Sequence, residues 1–289
     1  MPNHPLAEVF GFPLDNLSPE AQRYRNNRLC PYNNKVPSCT KDKANDPLGV
    51  CSVYTGDDIA ITCPVRFRQD WLIALDAAAF FFPDNTAWTS LSEIRLNDKN
   101  GQSAGNIDWV LVAYDSRGRV IDFGTLEVQS VYISGNVRRP FEYYMEDPDL
   151  RCNMDWSGQR NYPRPDYLSS SRKRLAPQLI YKGVILKNWG KKQAVALHKG
   201  FYNTLPGLPE VEPSEADIAW LIYDLKQDLG RNCYQLTEFR KVYTLFEPAL
   251  DRITTPEAGS LEYFCDLLQE KLDEKLENPP DAPTLTDLL

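Results

Sequence analysis

Apolar and polar positions divide the chain into contrasting stretches. From Tyr24 to Asp46, Asn, Lys, Arg and Pro dominate and leave little from which to build a core. From Trp71 to Phe82 the chain is strongly apolar, and Pro83 ends the run, which predicts a buried helix or strand leading into a loop. Ile107 to Tyr114 is a near-continuous apolar run with one charge, Asp108, at its start, as a buried strand requires. Asp115-Ser116-Arg117-Gly118 supplies turn residues, and Arg119 to Gln129 reads as a second strand. Ser171 to about Asn188 predicts a helix with Leu175, Leu179, Val184 and Leu186 on its apolar face and Pro177 in its first turn or at a kink. Gln193 to His198 and Ile218 to Leu225 read as buried strands. Leu261 to Leu276 reads as an amphipathic helix with Glu262, Asp266, Glu270, Asp273 and Glu274 on its wet side, and Pro279 to Pro283 as a frayed tail. Helices flanking a mixed sheet make an α/β core. The change of character near residue 70 divides the chain into residues 1–70 and residues 71–289.

Composition narrows the class. The 289 residues are 42% apolar and 25% charged, which excludes disorder. No run approaches the roughly 18 apolar residues of a membrane span. The N-terminus lacks a basic stretch followed by an apolar one, so a soluble cytoplasmic protein is expected. Two histidines weaken every hydrolase class built on a histidine base. The net charge of −8 is unevenly spread: residues 130–200 carry 13 cationic against 6 acidic side chains, a local +7, whereas residues 201–289 carry 7 against 18, a local −11. Local charge sets the field over a binding face, so an acidic total does not exclude an anionic partner. The same clusters also suit a solvated surface.

Four of the seven cysteines, Cys30, Cys39, Cys51 and Cys63, fall in the polar N-terminal part, separated by 8, 11 and 11 residues. Reducing cytosol disfavours disulfides, and clustered thiols in a core-poor segment suggest a tetrahedral site for a soft cation, zinc or iron. Four unlinked thiols are the alternative. Cys152, Cys233 and Cys265 are isolated.

The two strands flanking Asp115–Gly118 can carry chemistry. If that loop pairs Tyr114 with Arg119, Asp108 opposes Thr125, and Asp108, Glu127 and Gln129 project from one sheet face. Asp108 and Glu127 are then diagonal neighbours, within reach of one ion. A charge in an apolar strand is costly unless paired or metal-bound, and two converging carboxylates call for a divalent cation between them. All-oxygen ligation suits magnesium, which activates water and stabilises charge at a phosphodiester. Glu93 can add a third carboxylate. Alternatively, Asp108 caps a strand edge while Glu127 and Gln129 line a solvated face.

These features together resemble one family. Ala7-Glu8-Val9-Phe10-Gly11, Cys30-Pro31, Cys39, Gly49-Val50-Cys51-Ser52-Val53, Cys63-Pro64, Ile107-Asp108-Trp109 and Gly124-Thr125-Leu126-Glu127-Val128-Gln129 are similar to NotI-type restriction endonucleases, with a weaker echo in Ala219 to Leu225. The resemblance implies a restriction-endonuclease-like core in residues 71–289 and a small four-cysteine metal unit in residues 1–70, with iron bound by Cys30, Cys39, Cys51 and Cys63. It implies Asp108 and Glu127 as catalytic magnesium ligands, Glu93 as a further ligand, and Gln129 where the wider superfamily has lysine. It implies a homodimer making double-strand cuts in DNA, with no small-molecule substrate. The basic middle then acquires a use: Arg138, Arg139, Arg151, Arg160 and Arg164, in loop-like sequence, and Arg172, Lys173 and Arg174, in a helical first turn, are candidates for DNA contact. His198 is expected to be structural, since the sequence suggests no acid partner. A non-catalytic DNA-binding protein with a cysteine-metal site, and a non-specific or repair nuclease with the same core, are the competing readings.

Overall fold

The computed structural model describes residues 3–43, 45–56 and 58–277. In chain order, strands β1 (Leu6–Val9), β2 (Val50–Thr55) and β3 (Asp58–Ile61) pair antiparallel, with Phe12–Pro13 as the outer partner of β1. Helix α1 (Leu72–Phe81) follows, then strands β4 (Trp88–Asn97), β5 (Ser103–Tyr114) and β6 (Val120–Gln129). After helix α2 (Arg138–Glu146), residues 167–188 form a helical run, α3. Strands β7 (Gln193–His198), β8 (Ile218–Asp228) and β9 (Cys233–Thr244) and helix α4 (Phe246–Thr254) complete this unit, which extends to Ile253. The main sheet has the order β9-β8-β7-β6-β5-β4, and β7 runs parallel to both β6 and β8. A mixed sheet with helices on both faces is what the sequence predicts.

Each face of this sheet is sealed by a different helix. The apolar run at 72–81 is the helix α1, and it packs on the face that carries Leu111, Leu126, Val128 and Ala196. Gly124 permits the close approach: a Cβ there would lie 2.4 Å from the Phe81 ring. The opposite face, with Val195, Leu197, Trp220 and Ile222, is covered by Leu175 and Leu179 of α3 and Phe246 of α4. In α3, Val184 is exposed rather than part of the apolar face, and its place on the buried stripe is taken by Lys182, only 5% exposed. Two wide π-type turns, Ser171–Leu175 and Leu179–Gly183, flank Pro177, whose missing N–H breaks the regular hydrogen-bond ladder.

The hairpin register differs from the simple four-residue loop. The turn spans Asp115–Arg119: Asp115 N donates to Arg119 O, and the Asp115 carboxylate accepts from the amides of Arg117 and Arg119. Past an irregularity beside Tyr114, the pairs run Ala113–Asp122, Val110–Thr125 and Trp109–Leu126. Asp108 therefore lies abreast of Glu127 rather than of Thr125. The shift is two residues, an even number, so the expected common face is retained.

Residue 70 marks a change of architecture inside continuous packing. Ala7, Ile59 and Ile61 share one core with Ile73 and Leu111. A buried ion pair reinforces the join: Arg66 Nε lies 3.0 Å from both Glu8 oxygens, with neither side chain exposed, and Arg66 also donates to Tyr234 O of β9 at 2.8 Å. The other unit begins at Thr254, and within its described part helix α5 (Leu261–Glu277) has all its side chains exposed. Pro279 to Pro283 lie outside the described residues. Among the described residues no helix is long and apolar enough to cross a membrane.

Removing one partner of a buried pair leaves the other charge uncompensated. Arg66→Ala is expected to lower unfolding free energy by about 3–5 kcal/mol in denaturant titration; a change below about 1 kcal/mol would mean that Glu8 finds solvent.

Candidate active site

Strand register sets three acidic positions in line across neighbouring strands, although the carboxylate oxygens of Glu93, Asp108 and Glu127 do not all come within 4.8 Å of one another. β4 pairs Ser92 with Trp109 and Ile94 with Ile107, so Glu93 falls abreast of Asp108, which in turn falls abreast of Glu127. Glu93 is exposed and its φ is +58°, a left-handed conformation in mid-strand that interrupts the alternation of side chains there. The Asp108 carboxylate is pinned by the backbone: its Oδ2 accepts from Val128 N at 2.8 Å. Glu127 is held differently. Its Oε1 lies 2.7 Å from Lys182 Nζ, which also donates to Asn106 O at 2.7 Å. Burial, and secondarily the neighbouring Asp108 charge, push the Glu127 carboxyl up to about 8, and the Lys182 ammonium only partly opposes this. Gln129, 1% exposed, donates its side-chain N–H to Gln178 Oε1 on α3.

What these contacts leave unfilled is informative. Glu127 Oε2 and Gln129 Oε1 are both buried and without a hydrogen-bond partner. A buried acceptor left unpaired costs about 1–3 kcal/mol, so once Glu127 is ionised these two oxygens, two residues apart on one strand face, mark a place for a cation or a bound water. Asp108 and Glu127, expected to share a face with Gln129, interact with each other, and Gln129 follows Glu127 two residues along the same strand.

Lys182 and Gln178 are the contributors that the strand pattern alone misses. A signal for Lys182 was present: Leu175, Leu179, Lys182 and Leu186 fall on one helical stripe, and a lysine on such a stripe needs a buried partner. Gln178 carries no comparable signal.

The basic residues divide into engaged and open groups. Arg138 begins helix α2 rather than lying in a loop, and it is tied to Asp42 at 2.6 Å and Asp46 at 2.7 Å. Arg151 is tied to Glu146 and sits over the Tyr143 ring. Arg139, Arg160, Arg164, Arg172 and Lys173 are exposed. The helical run begins at Tyr167 with Asp166 as its cap, so Arg172, Lys173 and Arg174 lie beyond the first turn expected for them. Directly after Gln129 the chain enters an open groove of about 640 Å³ lined by Ser130, Tyr132, Lys41, Arg138 and Arg174.

Cys30, Cys39, Cys51 and Cys63 are free thiols that line one small cavity of about 10 Å³. Burial pushes the Cys30 thiol up to about 12, and it raises Cys39 and Cys51 as well. Their sulfurs are not drawn into the closed tetrahedral unit expected of them. Among the described residues, the metal-ligand types whose ligand atoms lie within 4.8 Å of one another are Asp58, His198 and Asp224. His198 does have an acid neighbour, contrary to expectation, with Nε2 3.5 Å from Asp224 Oδ1. Its Nδ1 accepts from Gly200 N at 3.1 Å, so Nε2 carries the proton and cannot ligate a metal. Lys199, 2.7 Å from Asp224 Oδ2, supplies the positive charge in that group.

The raised Glu127 value fixes a pH dependence. In cation-free protein the folded state keeps this proton between pH 4.5 and about 8 while the unfolded chain has lost it. The associated stability is full below that window and disappears as pH rises through it. In chelator, the stability advantage of Glu127→Gln over the parent is expected to grow from pH 5 to pH 8 in denaturant titrations, and a constant difference would refute the assignment.

The comparisons with known proteins bear on this same region. The family described as Restriction endonuclease NotI matches residues 8–236, a span holding the four cysteines, the three abreast acids and Gln129. No curated protein matches the chain. A match over most of its length shows that the chain belongs to the NotI restriction endonuclease family, nucleases acting on DNA phosphodiester bonds.

Proposed function

We propose that the protein is a type II site-specific endodeoxyribonuclease, which hydrolyses phosphodiester bonds in both strands of duplex DNA with magnesium. The reading rests above all on the paired carboxylates Asp108 and Glu127, set abreast in a buried sheet with Glu127 Oε2 and Gln129 Oε1 left bare beside them. These oxygen donors fit a hard divalent cation, with Glu93 as an outer carboxylate. Bound there, magnesium supplies an activated water and neutralises charge developing on the phosphate.

The chain's own groups do the rest. The Val128 amide fixes the Asp108 carboxylate, and Lys182 holds Glu127 Oε1, so Oε2 keeps one direction. Lys182 also offsets one of the two carboxylate charges that would otherwise repel an approaching phosphate. Arg174 and Lys41 in the adjoining groove, with the exposed Arg139, Arg160, Arg164, Arg172 and Lys173, are placed to neutralise the DNA backbone. A homodimer would present two such sites to the two strands, as a palindromic target requires.

At the thiol cavity we place iron, with zinc as the alternative, held by Cys30, Cys39, Cys51 and Cys63. Four sulfur donors around one small cavity, three of them buried, suit a soft cation, and it would relieve the cost of burying thiolates beside one another. Elemental analysis of purified protein is expected to find one such ion per chain, and a protein with neither metal ends this assignment.

Asp108→Ala and Glu127→Ala are each expected to lower DNA cleavage at least about 10³-fold while leaving duplex binding in calcium within a few-fold of the parent. Digestion of plasmid DNA with magnesium should give discrete fragments. Intact DNA would favour a non-catalytic binding protein, and a smear a nuclease without a fixed site.

A further inference from the structure

Taking the proposed cation site as given, we infer that Gln178 of α3 is a positioning residue that turns the Gln129 amide so that its oxygen, not its NH2 group, faces the cation beside Glu127. The two helix residues act in the same way on the two strand residues. Lys182 takes Oε1 of Glu127 and leaves Oε2 bare; Gln178 takes the NH2 of Gln129 and leaves Oε1 bare. Gln178 and Lys182 are four apart on a helical run, and Glu127 and Gln129 are two apart on a strand, so each pair shares one face.

The orientation of this amide decides what position 129 can do. A primary amide offers one acceptor oxygen and one donor nitrogen, and only the oxygen can face a cation. Turned the other way, it would offer only N–H donors on the side where its oxygen is now bare, and no cation could be held there. The orientation in the structure instead leaves the buried Gln129 Oε1 without a partner. Gln178 Oε1 is the acceptor that holds the NH2 away. Gln129 thereby serves as a neutral oxygen donor, a role opposite to that of a cationic side chain at this position.

The test reads Mn2+ affinity of the full chain by calorimetry without DNA, so that binding is separated from turnover. Gln178→Met removes the acceptor at nearly constant size and charge, and Gln178→Glu preserves it. Gln178→Met is expected to weaken Mn2+ binding about 10- to 100-fold, the usual effect of losing a group that orients a ligand, with Gln178→Glu no weaker than the parent. Gln129→Leu should weaken binding to a similar degree, and the double variant Gln129→Leu/Gln178→Met no further, because Gln178 acts through Gln129. Near-UV circular dichroism checks that each variant is folded. Parent-like Mn2+ affinity in Gln178→Met, or fully additive losses in the double variant, overturns the inference. Asp108→Ala keeps the two questions apart. If it cleaves normally, the cation site itself is wrong; if it is inactive while Gln178→Met binds Mn2+ like the parent, only the role of Gln178 falls.

Discussion

Two carboxylates held abreast in a low-dielectric sheet are the constraint around which the rest of this molecule is arranged. Like charges at adjacent strand positions repel, and removal from water penalises each of them again. The fold answers with three devices. The Val128 amide satisfies one oxygen of Asp108, the Lys182 ammonium faces one oxygen of Glu127, and Glu127 in the cation-free protein keeps its proton to about pH 8. Apart from that proton, nothing among the described residues fills Glu127 Oε2. The sheet, the helical run and the hairpin register together preserve an arrangement that is unfavourable until something of opposite charge arrives.

The same logic explains why the helical run on that face is irregular. A lysine on the stripe between Leu179 and Leu186 must reach a partner inside the sheet, so the run has to approach the strands closely. Gly183 permits the close packing on that side, because a Cβ there would lie 2.5 Å from the Phe246 ring of α4 and 3.1 Å from Gln193 Oε1 of β7. Pro177 and the widened turns around it change the helical phase so that Gln178 and Lys182 both point at β6. Wide turns of this kind recur where a helix carries functional side chains.

Much of this was legible in the chain itself, for reasons that can be stated. The apolar runs at 107–114 and 218–225 are long enough to be read as buried strands, and period-two alternation fixes which residues share a face whatever the hairpin length, up to an even slip. Asp108, Glu127 and Gln129 were placed together on that basis. The exact pairing was not legible, because the turn runs to Arg119 and an irregularity follows. Strands β4 and β9 have weaker patterns, since many of their side chains are exposed. Arg138 looked like a free DNA contact because its partners Asp42 and Asp46 are about ninety residues away in the chain. Gln178 was invisible for the same kind of reason: its importance lies wholly in what it meets across the sheet.

The meeting of α3 with β6 is also a meeting of two rulers. Two residues of strand advance about 6.7 Å, and the wide-turned helical run covers the matching interval in the four residues from Gln178 to Lys182. Gln178 and Lys182 can therefore each find a counterpart in Gln129 and Glu127 because these intervals nearly coincide. Gaining or losing one residue between Gln178 and Lys182 would turn the lysine away from Glu127. The segment is a vernier, set by the spacing of the two side chains on the strand it faces.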